Sequence, residues 1–313
     1  MKKKIALIGA GVMGANHART VSNSTDFELA VVIDSDIQRA RALSEKYNAK
    51  FSDQFEGALN CDASIIATNT ESHFQTAEKL IAGGQPILVE KPLTLNLTET
   101  IKLCEMAVNS TTPLMCGFVE RFNPAITAAR KVVQGPVSHL TAIRHSPHPA
   151  RATTGVVEDL LIHDLDLVLQ FFFSESEVKG VAIVQPKLAR FDEIAEVSLT
   201  GLEGQIAHLS TSRWGQRKIR HWTISTDHQT VEVDLLQQTI VAYENINQEV
   251  GPSGGASYRT RTVIDYPFIE RSGEPLSLQL AYFSALLNDH TKIRNECFGI
   301  VKTHQALETI LSR

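Results

Sequence analysis

Residues 9–14, Gly9-Ala10-Gly11-Val12-Met13-Gly14, limit the possible folds of this chain more than any other segment. They follow a short apolar run at residues 5–8 and precede a helical pattern that begins at Ala15. A strand, a glycine turn and a helix in this order are typical of a βαβ unit that binds a dinucleotide. The first glycine permits the tight turn, the second lets the backbone approach a pyrophosphate, and the third lets helix and strand pack closely. Val12 and Met13 are therefore expected beside the cofactor.

An acidic residue, Asp34, stands twenty positions after Gly14, at the end of the next predicted strand. A carboxylate there can accept hydrogen bonds from the adenine ribose and would repel a 2′-phosphate, so NAD is the predicted cofactor. Arg39 and Arg41 lie close enough in sequence to keep NADP open. The phosphates would lie over N–H groups at the positive end of the helix. The other interpretation is a turn in some other α/β protein, with Asp34 capping a helix.

Residues 1–120 alternate short apolar segments with amphipathic ones, as βαβ units do. Strands buried on both faces read as continuous apolar runs. The predicted strands are residues 5–8, 29–33, 63–67, 87–89 and 114–116, and the predicted helices are residues 15–21, 37–47, 73–81 and 97–108. The fold class is α/β, with an N-terminal Rossmann domain built on a doubly wound parallel sheet.

After Pro124 the pattern changes to alternating polar and apolar residues, which indicates an antiparallel sheet with one wet face. Residues 121–313 therefore predict an α+β domain for substrate binding and oligomerisation, whose C-terminal helices can pack back on the first domain. Its predicted strands are residues 178–184, 194–199, 206–211, 221–225, 230–235 and 239–243, and its helices are residues 156–173, 276–287 and 299–311. The glycine-rich residues 251–257 predict a loop, which either covers a site or lies on the surface.

The composition excludes several classes of protein. A chain of 313 residues exceeds the usual size of one hydrophobic core, so two domains are expected. The formal net charge of −5 offers no basic field for nucleic acid. The apolar run behind Lys2, Lys3 and Lys4 is too short for a signal peptide or a membrane span, so the cytoplasm is expected. The four cysteines are scattered, without zinc-binding spacing, and predict buried thiols with neither disulfides nor a structural metal.

The tripeptide Glu90-Lys91-Pro92 directly follows a predicted buried strand, at the carboxyl edge where open α/β sheets bind ligands. A lysine in a cleft beside the positive ring of an oxidised cofactor has its pKa lowered by desolvation and like charge. Lys91 could then exchange a proton with a substrate hydroxyl or hold it. The alternative is an ordinary exposed lysine after a strand.

Asp159 and His163 are spaced i, i+4 on the predicted helix, and Asp166 and Gln170 extend the same polar stripe. His163 has the pKa range for proton transfer near neutrality, and a neighbouring carboxylate would orient it. Taken alone, such a pair is more often only a solvated helix face.

His145 and His148 lack a third ligand and lie where prolines favour an extended loop, so a substrate-facing loop is favoured over a metal site.

The glycine turn, Glu90-Lys91-Pro92 and Asp159-Leu160-Leu161-Ile162-His163 together resemble the glucose-fructose oxidoreductase/inositol dehydrogenase/MocA family, over essentially the whole chain. The resemblance implies that Lys91 lies beside nicotinamide and substrate and that His163 accepts a proton with Asp159 as its partner. The two residues stay alternatives for the base. Arg121 and Asn123, in the segment 117–124, are implied contacts to sugar hydroxyls, with a structural hinge and an ion pair of Arg121 as the alternative. The family is often dimeric or tetrameric, so a homodimer or homotetramer is expected.

The segment Thr68-Asn69-Thr70-Glu71-Ser72-His73 departs from the family's Thr-Pro-x-x-x-His pattern. The expected cofactor contacts are completed by Thr68, Asn69, His73 and Glu90.

Three functions stay open. The subgroup that the sequence most resembles consists of nucleotide-sugar 3-dehydrogenases acting on UDP-N-acetylglucosamine-type compounds. A dehydrogenase of a free sugar or inositol is the second, and a cofactor-sensing regulator without turnover is the third. The basic residues Arg213, Arg217, Lys218 and Arg220 either bind a diphosphate or lie on an exposed strand face.

Overall fold

The computed structural model describes residues 1–148, 152, 154–173, 175–187, 189–249, 258–271 and 273–313. It divides into two units, which are Met1–Val119 with Gly273–Glu308 (unit 1) and Glu120–Ser272 with Thr309–Arg313 (unit 2). The loop predicted at residues 251–257 lies outside the described residues. No helix in the described part of the chain has the length and apolar character needed to cross a membrane.

Unit 1 is built on a parallel sheet. Its strands are β1 (Lys3–Ile8), β2 (Phe27–Ile33), β3 (Lys50–Ser52), β4 (Ala63–Ile66), β5 (Ile87–Val89) and β6 (Leu114–Cys116). The helices between them are α1 (Val12–Ser22), α2 (Ile37–Lys46), α3 (His73–Ala82) and α4 (Leu97–Ser110). The strand order is β3-β2-β1-β4-β5-β6, the doubly wound order of dinucleotide-binding folds. The predicted Rossmann fold is confirmed.

The strands of unit 1 form because their side chains are apolar on both faces of the sheet. Ile5, Ala6 and Leu7 of β1 are fully buried, as strands covered by helices on both sides require. Short polar side chains fix the starts of two helices: Asp36 accepts hydrogen bonds from the first N–H groups of α2, and Asn96 accepts one at α4. The sequence did not predict β3, because its residues Lys50–Ser52 are mostly exposed and do not form an apolar run like those of the equally short β5 and β6.

Unit 2 is built on an eight-stranded sheet within the described residues, mostly antiparallel as predicted. Its elements are α5 (Pro124–Val132), β7 (His139–His145), a π-helical turn (Val157–Leu161), α6 (Ile162–Phe171), β8 (Ser176–Val184), β9 (Ile194–Gly201), β10 (Ile206–Ser212), β11 (Ile219–Ser225), β12 (Gln229–Asp234), β13 (Thr239–Glu249) and β14 (Tyr258–Asp265). The strand order is β14-β13-β12-β11-β7-β10-β9-β8, in which only β7 and β10 are parallel neighbours among the described strands.

The strands of unit 2 alternate, with one face buried and the other open. In β7, Leu140, Ala142 and Arg144 point inward, while His139 is exposed. The prediction missed β7 and β14 and placed His145, the last residue of β7, in a loop. It also missed α5, although Asn123 followed by Pro124 is a typical helix start: the Asn123 side chain accepts from Ala125 N, and proline is favoured at the first helical position.

The helices α7 (Pro275–Leu286) and α8 (Ile293–Leu311) follow unit 2 in the sequence. All of α7 and most of α8 belong to unit 1, since that unit includes Gly273–Glu308. Phe283 of α7 stacks on Phe27 of β2, with ring centroids 6.2 Å apart. Both rings are fully buried, so the C-terminal part of the chain contributes directly to the core around the parallel sheet.

Candidate functional site

Of the three glycines in the turn between β1 and α1, the first and the last, Gly9 and Gly14, cannot be replaced by a residue with a side chain. Gly9 has φ +104°, and a Cβ atom there would lie 2.5 Å from the Ala67 carbonyl oxygen. A Cβ on Gly14 would lie 2.0 Å from the Gly9 oxygen, whereas one on Gly11 would meet no atom within 4 Å. The turn is therefore closed beneath Gly9 and Gly14 and open at Gly11, where a pyrophosphate can approach the backbone.

The start of α1 has the character of an anion site. No side chain caps the helix, so its first N–H groups have no side-chain acceptor. The side chains of Val12 and Met13 are 83% and 37% exposed, large values for apolar residues. These observations fit a dinucleotide, whose phosphates would accept from the N–H groups and whose body would cover the apolar side chains.

Asp34 lies at the end of β2 against the glycine turn. Its Oδ2 accepts a hydrogen bond from Ala10 N at 2.7 Å, and its Oδ1 accepts from Asp36 N at 2.8 Å. Arg39 Nη2 is 3.7 Å from Oδ1, whereas Arg41 pairs with Glu45. A carboxylate has about four acceptor positions, so Asp34 can hold the turn and still accept from ribose hydroxyls.

The loop after β4 is tied together by its own polar side chains. Ser72 Oγ donates to Thr68 Oγ1 at 2.7 Å, and Asn69 Nδ2 donates to Glu71 Oε2 at 2.9 Å. Asn69 is exposed and Thr68 is half-buried. These two residues can still reach a ligand, while the third predicted contact of this segment, His73, is buried.

The tripeptide Glu90-Lys91-Pro92 follows β5 directly, and Glu90 is turned inward. Its Oε1 lies 2.7 Å from Nε2 of His17 on α1, and Oε2 accepts from Lys91 N at 3.3 Å. His17 is only 2% exposed, and Glu90 is 8% exposed. The Glu90 carboxylate links the turn that carries Lys91 to the helix that starts at the glycine turn, and its contact with the cofactor stays a prediction.

Two more buried histidines hold the same turn. His73 Nδ1 lies 3.0 Å from the Pro92 oxygen and its Nε2 lies 3.2 Å from the Thr68 oxygen. His304 of α8 accepts from Leu93 N with Nε2 at 2.9 Å and donates through Nδ1 to Ile300 O at 2.8 Å. We call His17, His73 and His304 the histidine clasp. From three different helices it holds the Glu90 side chain before Lys91 and the backbone of Pro92 and Leu93 after it.

The clasp adds two residues that the sequence analysis missed. His17 stands three positions after Gly14 and four before Val21, both buried, so the helical period places it on the inward face of α1. That position is a signal for a buried partner. The sequence pattern around His304 carries no comparable signal for Leu93, since that contact joins residues 211 positions apart.

In unit 2, Asp159 lies in the π-helical turn and His163 lies in the first turn of α6. The Asp159 carboxylate accepts from Arg213 Nη2 at 2.8 Å, and Arg213 Nη1 donates to the Thr154 oxygen at 2.8 Å. Asp159 is 41% exposed at its side chain, while Arg213 is 2% exposed. Arg213 is therefore buried and paired and does not lie on an exposed strand face. The role of Asp159 as partner of His163 stays a prediction.

The residues that flank His163 on α6 are held by ion pairs. Asp166, predicted on an open polar stripe, is 1% exposed and accepts from Arg121 Nε at 2.7 Å and Nη2 at 2.6 Å. Asp164 is also 1% exposed and accepts from Arg144 Nε at 2.7 Å and Nη2 at 2.8 Å. The structure thus gives Arg121 an ion pair, the alternative to its predicted contact with a sugar.

Arg144 is the centre of a buried charged network that the sequence analysis missed. Besides Asp164, its guanidinium donates to Glu120 Oε1 at 3.0 Å, which also accepts from Arg220 at 2.9 Å. Trp222 Nε1 donates to Asp164 Oδ1 at 3.0 Å. Burial raises the pKa of Glu120, but the two arginines outweigh it and hold this pKa below its ordinary value. In the sequence, Arg144 alternates with the apolar Leu140 and Ala142. This pattern was the available signal that Arg144 lies on the inward face of a strand.

Asn123, predicted to bind substrate, belongs to this network and is 3% exposed. Its Nδ2 donates to Glu120 Oε2 at 3.0 Å and to the Leu235 oxygen at 3.1 Å, while its Oδ1 caps α5. Both amide hydrogens are used, so Asn123 positions Glu120 and starts a helix, and its contact with substrate stays a prediction.

The two histidines considered for a metal site, His145 and His148, lie at the end of β7 and three residues after it. His145 is the last residue of the strand, not a loop residue, and its Nε2 lies 2.9 Å from Ser210 Oγ on β10. His148 Nε2 is 3.3 Å from Glu193 Oε1. Among the residues that the structure describes, no three His, Cys, Asp or Glu side chains form a group able to hold a metal ion. Cys104, Cys116 and Cys297 are buried thiols, and Cys61 is half-buried.

Comparisons with known proteins agree with this geometry. The sequence model of an oxidoreductase family with an NAD-binding Rossmann fold, GFO_IDH_MocA, matches residues 3–118. UDP-N-acetylglucosamine 3-dehydrogenase of Acidithiobacillus ferrooxidans is 31% identical over 245 residues, which are 77% of this chain and 76% of the relative. Inositol 2-dehydrogenase of Rhizobium meliloti is 29% identical over 232 residues, 68% of this chain and 69% of the relative.

Solved structures extend the similarity to the full length. A crystal form of the Acidithiobacillus ferrooxidans enzyme is 26% identical, covers 100% of both chains and superposes with a TM-score of 0.79. A 3-ketoreductase from Actinomadura kijaniata, in complex with NADP, shares the fold with a TM-score of 0.82 at 13% identity. With a glycine turn that fits a dinucleotide and a relative above 30% identity over three quarters of its length, the chain belongs to the glucose-fructose oxidoreductase/inositol dehydrogenase/MocA family of NAD-binding oxidoreductases.

Proposed function

We propose that this oxidoreductase transfers a hydride between NAD and a ring carbinol carbon of a nucleotide sugar, as a 3-dehydrogenase of a UDP-N-acetylhexosamine-type compound. The observation that carries the chemistry is the histidine clasp, which holds Lys91 directly after β5 at the carboxyl edge of the NAD-binding sheet. The substrate class is supported by the similarity to a UDP-N-acetylglucosamine 3-dehydrogenase along the whole chain.

Unit 1 supplies the cofactor contacts in this proposal. The open position at Gly11 and the uncapped start of α1 bind the pyrophosphate, while Asp34 accepts from the adenine ribose. Thr68 and Asn69 are the further contacts. The nicotinamide, when bound, supplies the hydride chemistry. The carboxylate of Asp34 favours NAD over NADP.

Two side chains are candidates for moving the hydroxyl proton. Lys91 is held by the clasp, and His163 is half-buried on α6 between the anchored Asp164 and the preceding π-helical turn. Either group can accept the proton as the hydride leaves the same carbinol. We keep both, with Asp159 assigned to orient His163.

A second candidate function is the oxidation of a free polyol. It is supported by the similarity to inositol 2-dehydrogenases, which is nearly as high in identity as that to the nucleotide-sugar enzyme. The chemistry at the carbinol is the same, so the two functions differ only in what binds the rest of the substrate.

The discriminating experiment measures absorbance of reduced nicotinamide with NAD or NADP and a panel of UDP-N-acetylglucosamine, UDP-N-acetylgalactosamine, N-acetylglucosamine and myo-inositol. We expect turnover with a UDP-sugar and NAD, and a much lower kcat/KM with the free compounds. A higher kcat/KM with myo-inositol would move the function to the second candidate. No turnover on the panel would contradict both.

Lys91→Ala tests the proposed chemistry. We expect turnover to be abolished and NAD affinity, measured by calorimetry, to stay within about twofold, because the phosphate contacts come from the glycine turn. Lys50→Ala, at an exposed lysine of β3, is the matched control and should leave both values unchanged. Near-normal turnover of Lys91→Ala would leave His163 as the base.

We also propose, as the sequence predicted, that the protein works in the cytoplasm as a homodimer or homotetramer. Support for self-association comes from the second sheet, whose strands β7 and β10 carry exposed side chains such as His139 and Ile206 on the face opposite the core. Light scattering of the purified protein gives the number of copies, and a single copy at micromolar concentration would contradict this part of the proposal.

A further inference from the structure

Trp214 is exposed beside a cavity in unit 2. The chain has two tryptophans, and the other, Trp222, is fully buried in the charged network. Trp214 is 57% exposed, although a tryptophan ring is among the largest apolar surfaces that a residue can bury. The cavity has a volume of about 430 Å³, and its lining is Pro147, His148, Arg213, Trp214, Gly215 and Gln216.

The backbone around Trp214 is fixed by hydrogen bonds. Trp214 N donates to Ser212 Oγ at 3.0 Å, and the next residue, Gly215, donates to the Ser146 oxygen at 3.1 Å. Arg213, on the other side, is 2% exposed and donates to Asp159 and to the Thr154 oxygen. The aromatic platform therefore stands on an ordered segment, which lowers the entropy that a ligand must remove on binding.

The position of the cavity relates it to the proposed substrate site. Arg213 lines the cavity and its side chain reaches Asp159, four residues before His163. Two exposed cations, Arg217 and Lys218, follow on the same segment between β10 and β11. An aromatic face followed by two cations is the combination that a nucleoside diphosphate requires, since the base stacks and the phosphates pair with positive charge.

We propose that this cavity binds the nucleoside diphosphate part of the substrate, with the base stacked on Trp214 and the diphosphate beside Arg217 and Lys218. The inference rests on the proposed function and names the subsite that would separate nucleotide sugars from free polyols. It also reassigns the basic segment: Arg213 is part of the buried frame, and only the exposed Arg217 and Lys218 face the phosphates.

Tryptophan fluorescence tests the subsite without turnover. UDP, uridine and N-acetylglucosamine are titrated separately into the full-length protein. UDP should quench the emission and uridine should do so at higher concentration, whereas N-acetylglucosamine should leave it unchanged. The buried Trp222 provides a constant background, so Trp214→Phe should remove the quench. Phe268→Leu, at another exposed aromatic residue of unit 2 that does not line the cavity, is the control and should keep it.

Kinetics separate this inference from the proposed function. Trp214→Ala should raise KM for the UDP-sugar by about tenfold, as expected from the loss of one base–aromatic stack. Its kcat, and its kcat/KM for a free polyol, should stay within about twofold because the reacting carbon is bound elsewhere. Arg217→Ala should raise KM for the UDP-sugar and weaken UDP more than uridine.

The outcomes distinguish the two claims. Turnover of a UDP-sugar with unchanged KM in Trp214→Ala would keep the function and overturn the subsite. Quenching by UDP that Trp214→Phe removes, without turnover of any UDP-sugar, would keep the subsite and overturn the function. Quenching by N-acetylglucosamine but not by UDP would overturn the subsite, because Trp214 would then stack on the sugar ring.

Discussion

Lys91 and His163, the two candidates for the proton acceptor, are held in place by different chemistry. The turn that carries Lys91 is held by hydrogen bonds from three buried imidazoles, those of His17, His73 and His304. The helix that carries His163 is held by two bidentate pairs, Arg144 with Asp164 and Arg121 with Asp166. Each arrangement holds the segment that carries one candidate side chain.

The two arrangements should withstand different conditions. An arginine stays charged at any pH that proteins survive, and a paired carboxylate loses its charge only in acid. Burial lowers the pKa of His73 in the clasp, so this imidazole takes up a proton and changes its donor and acceptor pattern only as the pH falls below its ordinary value. The segment of Lys91 should therefore respond to modest acidification, while that of His163 should fail only when a partner is removed.

Arg144→Met should have the largest effect. It leaves Asp164 and Glu120 buried without their shared cation, which should lower the free energy of unfolding of unit 2 by about 3–5 kcal/mol. Urea unfolding is followed by the fluorescence of Trp222, whose indole donates to Asp164, in a Trp214→Phe background. Arg217→Met, at an exposed arginine, is the control and should change this free energy by less than about 0.5 kcal/mol. A loss below about 1 kcal/mol for Arg144→Met would mean that the network does not hold the unit.

Arg121→Met should have the next largest effect. The side chain is 11% exposed, so some solvent reaches the pair, and we expect a loss of about 2–3 kcal/mol, below the full cost of breaking a buried pair. If the pair positions His163, kcat should fall about tenfold with a smaller change in KM. Arg121→Lys keeps the charge but not the bidentate geometry, so it should recover only part of kcat. A loss of stability with an unchanged kcat would show that the pair is structural only.

His304→Phe tests the clasp from the side of α8. It leaves Leu93 N without its acceptor, which should cost about 1–2 kcal/mol of unfolding free energy. The ring volume near Phe118 is nearly kept, since His304 already packs against that ring with centroids 6.2 Å apart. His304→Gln offers an amide oxygen to Leu93 N and should recover part of the loss. The thermal midpoint measures stability, and equal midpoints for the two variants would mean that the hydrogen bond contributes nothing.

Most of unit 1 could be predicted because its strands and its cofactor turn depend on local patterns. Gly9, Gly14 and Asp34 have spacings set by one strand, one turn and one helix, and the structure places all three at the same turn. The fold followed from the alternation of apolar runs with amphipathic segments. The three-residue β3 was missed because its residues are mostly exposed and form no apolar run, unlike those of the equally short β5 and β6.

The charged centre of unit 2 could not be predicted in the same way. Arg144, Asp164 and Glu120 come from a strand, a helix and a turn that only the tertiary fold brings together, and charged residues are expected on the surface by default. The same default placed Asp166 on an open stripe. A correct strand assignment for β7 would have put Arg144 on the inward face and indicated a buried partner.

His73 gives the smallest and most specific effect, a dependence of stability on pH. Burial lowers the pKa of His73 below its ordinary value of 6.5, although its contacts with the Pro92 and Thr68 oxygens act in the opposite direction. The unfolded chain then binds a proton at this residue more readily than the folded chain. The stability that neutral His73 contributes is therefore complete above pH 6.5, declines as the pH falls below it, and is lost below the folded pKa.

Unfolding free energies of the wild type and of His73→Gln, measured from pH 8 to pH 5, check this dependence. The difference between the two proteins should shrink as the pH falls, because glutamine keeps a donor for the Pro92 oxygen but binds no proton. If the free energies of the wild type and of His73→Gln change in parallel with pH, His73 does not titrate in this range. The two arrangements would then differ only in how much they stabilise their segments.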